Sequence, residues 1–176
     1  MKKYLAILFG LVSINSFSYT VLSEDNYFKG FFTSSSTIEV MKDSFDYYKD
    51  LAVTSDRLSN VEQARKDSLE GMEKLIKKVV ENKLISLLEG TNLSGKDFDS
   101  KAMYKFADEI TAKLLSNNNI IKTAKTVEVM EGNNKKYLLL SVSNKKEIEN
   151  EVTKEFKVRL KNVIYRLNDY YHELGE

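Results

Sequence analysis

The stretch TVEVMEGNNKKYLLLSVSNKKE, residues 126–147, sets apolar side chains in alternation on either side of a Gly/Asn turn. Val127 and Val129 come before the turn, and Leu138, Leu140 and Val142 after it. Alternation with period two is the signature of a strand with one face on a core, and Gly and Asn tolerate the positive φ a tight turn needs. The stretch therefore reads as a β-hairpin that runs into a helix start near Asn144. On the first strand Ile121 shares the parity of Val127 and Val129, while Lys122, Thr126 and Glu128 share the other. Lys125 falls on the apolar parity and marks a bulge or the edge of the strand. On the return strand Tyr137, Leu139 and Ser141 form a second face that is itself partly apolar, so another element or a partner chain is expected to cover it.

Downstream, residues 144–174 carry Ile148, Val152, Phe156, Leu160, Val163, Ile164, Leu167, Tyr171 and Leu174 at spacings of three and four. This amphipathic helix of about 45 Å outruns a two-strand hairpin, so its far end is expected on a long neighbouring helix or on a second subunit. That neighbour is read upstream. From about residue 60 to 89, Val61, Ala64, Leu69, Met72, Leu75, Ile76, Val79, Val80, Leu84, Leu87 and Leu88 follow the helical period. Ser59 and Glu62 suggest a capping box, and Gly90 a left-handed stop. A polar loop (90–100) leads to a second helix, about 101–116, with Met103, Phe106, Ala107, Ile110 and Leu114 on one face. Nearer the N-terminus, two aromatic and β-branched runs, 27–33 and 37–41, favour strands. The spacing of Phe45, Tyr48 and Leu51 favours a short helix after them. The fold class is α+β: a small antiparallel β-sheet packed against a long α-helix, with a second helix and a long C-terminal helix.

The chain opens MKKYLAILFGLVSINSFS, with Lys2 and Lys3, an apolar run from Tyr4 to Val12, and small residues at Ser16 and Ser18. This is the layout of a secretory signal peptide cut after Ser18. The nine-residue apolar run falls well short of the roughly 20 residues a membrane span requires. The expected division is a signal peptide over 1–18 and one domain over 19–176. Removing Lys2 and Lys3 takes the 27 basic side chains to 25 against 26 acidic, a formal charge of −1. That balance gives no general pull toward nucleic acid or anionic membrane. The expected location is outside the cytoplasm, in the periplasm, at the outer membrane or in the medium. There are no cysteines, so disulfides contribute nothing to the fold even in an oxidising compartment.

No residue set suggests catalysis. His172 is the single histidine and stands beside a tyrosine pair near the C-terminus. One histidine and no cysteine exclude the usual zinc ligand sets. The acidic runs SEDNY, KDFDS and EIENE lack the alternation of a calcium loop, and the seven glycines form no phosphate-binding pattern. No enzyme activity, cofactor, metal or small-molecule substrate is expected. The candidate interaction surface is the hairpin itself: Lys122, Lys125, Lys135 and Lys136 with Tyr137 and Leu139. Lysines with aromatics on a sheet are one way to hold nucleic acid. Acidic neighbours interleave with these lysines, and lysines also guard strand edges against stray pairing, so nucleic acid is the disfavoured partner. An envelope protein or a second copy of the chain, as a homodimer, is favoured, and peripheral membrane association stays open.

The order of elements carries a resemblance. The long helix VEQARKDSLEGMEKLIKKVVENKL is followed by a polar loop and the helix and strand MYKFADEITAKLLSNNNIIKTAKTVEV. After a Gly/Asn turn comes KKYLLLSVSNKKEIENEV. Over about residues 27–152 this pattern resembles the twenty-kilodalton lipoprotein family of bacterial outer membranes, whose relatives include the N-terminal domain of the flagellar-assembly protein T and, more distantly, the tumour-necrosis-factor-inducing protein. The resemblance implies a long helix across a small antiparallel sheet, no enzymatic chemistry, an outer-membrane or secreted location, and frequent dimers. The chain departs from the family in having no cysteine to carry a lipid.

Overall fold

The computed structural model describes residues 19–24, 37–47, 49–90, 100–117 and 119–173. The expected signal peptide, the expected strand over 27–33 and most of the polar loop after residue 90 lie outside them. The described elements are β1 (Tyr19–Glu24), α1 (Ile38–Tyr47), β2 (Leu51–Thr54), α2 (Val61–Glu89), α3 (Ser100–Leu115), β3 (Lys122–Glu131), β4 (Asn134–Ser143) and α4 (Lys145–Glu173). The fold is α+β, with the strands in one four-stranded sheet of order β1-β3-β4-β2 and every neighbouring pair antiparallel.

The hairpin forms the middle of this sheet. Glu131 pairs with Asn134 across a two-residue loop, and Gly132 takes φ +62° there, a conformation that glycine adopts without steric penalty. Near its other end the pairing slips between Thr123 and Lys125, so a bulge stands at Ala124. One extra residue inverts the phase of everything before it. This corrects the single parity expected for Ile121, Val127 and Val129. Val127 and Val129 share a core with Ala124, Leu138, Leu140 and Val142, whereas Ile121 packs into the opposite one.

Both faces of the sheet are covered. On one, α1 brings Ile38 and Met41, with Phe45 beside them, onto the Leu138, Leu140 and Val142 face. The strand expected over 37–41, on the β-branched character of Thr37, Ile38 and Val40, is not formed. From Ile38 onward the segment is helical, because Ile38, Met41 and Phe45 make a stripe that the sheet can bury, and tertiary burial outweighs the weak local preference. The expected helix over Phe45, Tyr48 and Leu51 stops at Tyr47, and Leu51 opens β2. Past β2 the chain stays alongside β4: Ser55 N donates to Leu139 O (2.9 Å), and Leu58 and Tyr137 exchange backbone hydrogen bonds of 3.1 and 2.7 Å.

α2 covers the other face. Its N-cap is Asn60 rather than Ser59: Asn60 is extended and its side chain accepts from Glu62 N at 2.7 Å. Gly90 ends the helix in the right-handed region, with φ −70°, not in the expected left-handed one. Ala64, Ser68, Met72, Ile76, Val80 and Leu84 are buried at intervals of four. Steps of four advance roughly 40° each around a helix, so this line winds from the sheet toward α3 and α4. At the sheet end, Ser68 Oγ lies 2.8 Å from Ser141 Oγ and 3.1 Å from the Val53 carbonyl. At Gly71 a Cβ would stand 2.7 Å from Val53 Cγ1, so the close crossing of α2 over β2 depends on glycine. At the far end Met72, Ile76, Val80 and Leu84 join Ala107, Ile110 and Leu114 of α3 and Ile148 and Val152 of α4 in a second core.

Candidate association surface

The six hairpin positions do not form one surface. Lys125 and Leu139 are both 0% exposed, which corrects their place in a contact face. Leu139 belongs to the layer beneath α2. Lys125, just after the bulge, points to the α1 side and lies 3.6 Å from Glu24 of β1, whose Oε1 has no hydrogen-bond partner among the described residues. Lys122 is exposed but pairs with Val142 at the far end of the hairpin, roughly 25 Å from Lys135 at the strand rise of about 3.3 Å per residue. Lys135 is exposed beside the turn and its ammonium lies 3.1 Å from Glu128. The hydrogen bond to Glu128 and its charge raise Lys135 above its ordinary pKa of 10.5. Lys136 and Tyr137 are half-buried.

The surface that stands out is on α4. Asn144 caps this helix, its side-chain oxygen accepting from Glu147 N at 2.9 Å. The first turns are anchored, with Ile148 and Val152 buried and Phe156 packed against the same core. Arg159 reaches Glu109 of α3 at 3.3 Å and lies over the Phe106 ring, 5.0 Å from its centroid. From Lys157 to Arg166 every residue is exposed, and Val158, Leu160, Val163, Ile164 and Tyr165 are each between 37% and 63% exposed. The length of the apolar stripe places its far end on the long helix or on a second subunit. α2 does not cover it.

The sequence shows Leu160, Val163 and Ile164 on a helical stripe, but not that their neighbours stop short of them. The one available signal was the length of that stripe against the small sheet. A groove between α3 and α4 is lined by Phe106, Ile110 and Val158. The charges on its rim are paired, Lys113 with Glu155 and Arg159 with Glu109. Among the described residues no cluster of His, Cys, Asp or Glu could hold a metal ion, and no helix is long and apolar enough to cross a membrane. No protein-family model, curated protein or solved structure matches the chain.

Proposed function

We propose that the chain is a non-enzymatic, exported cell-envelope protein, periplasmic or outer-membrane-associated, that works by association as a protein-binding or self-associating module. The observation that carries this reading is the outer half of α4. Over nearly three turns of this helix large apolar side chains are exposed, with Arg159 holding one side of it to α3. A helical segment this short is marginal in water by itself, and a contiguous exposed apolar patch is the ordinary mark of a contact site. The signal-peptide pattern of the first eighteen residues and the resemblance to the outer-membrane lipoprotein family support the address. A secreted effector that holds a host surface or nucleic acid through the hairpin lysines is the alternative. The burial of Lys125 and the pairing of Lys135 with Glu128 weigh against it.

The test is a photo-crosslinking amino acid placed at Val163 in the producing cells, with Gln63 on the exposed side of α2 as the control position. Envelope fractions are then separated and the adducts identified. The reading expects the protein in those fractions and a discrete protein adduct from Val163 alone. Recovery in the cytoplasm, or no protein adduct from Val163, would overturn it.

A further inference from the structure

We infer that the occupant of the outer half of α4 is a second copy of this chain, lying antiparallel along the same stripe in a two-fold symmetric pair. The inference rests on the association reading above and names the partner.

The stripe is one continuous line on one helix. Its first part, Ile148, Val152 and Phe156, is covered by apolar faces of α2 and α3, and its second part, Leu160, Val163 and Ile164, is bare. Leu160, Val163, Leu167 and Tyr170 are separated by alternating steps of three and four. That is the heptad spacing of a seam made for another helix. A pairing of identical patches is the commonest closed assembly and needs only a self-complementary surface.

Charge and shape select the direction. Lys157, Arg159, Lys161 and Arg166 are followed by Asp169 and Glu173, with no acid between residues 156 and 168 and no Lys or Arg from 167 to 176. Two parallel copies would set base against base, whereas an antiparallel pair sets the basic turns of one helix beside the acidic turns of the other. The chain's own body also fills the stripe side of α4 up to Phe156. In a parallel pair two bodies would compete for that space. In an antiparallel pair the second helix ends there. Placing Val163 level with residue 167 of the other copy, and Leu160 level with residue 170, puts the two-fold axis near residue 165.

The absence of cysteine makes the arrangement directly readable with single introduced thiols and a short bismaleimide spacer. With the axis near residue 165, the two copies of residue 164 lie roughly 3 Å apart along the helix direction and those of residue 154 about 33 Å apart. The purified protein should double its mass in light scattering as concentration rises, and Ile164→Cys should cross-link to itself while Lys154→Cys does not. The pair Leu160→Asp and Val163→Asp, at exposed positions that leave the circular dichroism spectrum unchanged, should weaken the dimer at least tenfold.

A monomer at every concentration overturns the inference, as does a dimer indifferent to Leu160→Asp and Val163→Asp. Cross-linking of Lys154→Cys as efficient as that of Ile164→Cys overturns the antiparallel arrangement. A monomeric protein whose Val163 still captures a different envelope protein in cells would remove the second copy and leave the association reading standing. Sedimentation of the monomer with phosphatidylglycerol vesicles would replace the second copy with a lipid surface.

Discussion

The crossing of α2 over β2 offers a test in which one substitution changes sign with its background. Gly71→Ala gains about 1 kcal/mol of helix propensity, yet its new methyl group would stand 2.7 Å from Val53 Cγ1, closer than carbon atoms pack. Relief requires a shift of strand or helix, and overpacking of this kind costs about 1–3 kcal/mol, so the net effect is a loss of about 1 kcal/mol. Val53→Ala by itself removes two half-buried methyl groups and costs about 1–2 kcal/mol. In that background the nearest remaining atom of residue 53, its Cβ, is 3.9 Å from the added methyl, an ordinary contact. Gly71→Ala should there be stabilising by about 0.5–1 kcal/mol, the propensity gain alone. Urea denaturation of the four proteins closes the cycle, with a coupling of about 2 kcal/mol. If Gly71→Ala has the same sign and size in the wild-type chain and in the Val53→Ala background, the close approach does not explain the glycine.

Three further outcomes follow from other parts of the molecule. Lys125→Met leaves the nearly buried Glu24 carboxylate without its cation and should cost about 3 kcal/mol. Lys125→Met with Glu24→Met should recover most of that, because apolar pairs often replace buried ion pairs at little cost. Additive losses in urea melts would contradict it. Asn60→Ala should lower stability by about 1 kcal/mol through the lost cap, while Ser59→Ala leaves the midpoint unchanged. Lys135 is held above 10.5 by Glu128, so its contact favours the folded state below that value and is lost as pH rises through the higher folded pKa. The Lys135 ammonium signal in NMR should therefore titrate later than that of Lys135 in the urea-unfolded chain, and Glu128→Gln should remove the delay.

The hairpin, the two long helices and the second helix are legible because each carries a periodicity long enough to outweigh local noise. Leu138, Leu140 and Val142 face one core and Leu139 the other, as their alternation requires. α1 is not legible, because Thr37, Ile38 and Val40 favour a strand locally, and only the sheet beneath Ile38 and Met41 reverses that preference. Lys125 could be marked as irregular from its parity but not as buried, since its partner Glu24 lies about a hundred residues earlier. The same limit applies to α4: a stripe reports which side of a helix is apolar, and not where the elements that would bury it come to an end.

The bulge at Ala124 lets a single strand serve two masters in turn. Ile121 and Thr123 belong to the helical side, where Thr123 pairs with Ser141. Val127 and Val129 belong to the α1 side. If Ala124 instead took a regular place in the ladder, the same sequence would run in one phase and present Ile121 to the wrong core. In evolutionary terms, loss of the Ala124 codon would take one small side chain from the α1-side core but keep Thr123 opposite Ser141 and Ile121 on its own side, so this position should tolerate deletion better than its neighbours in the ladder.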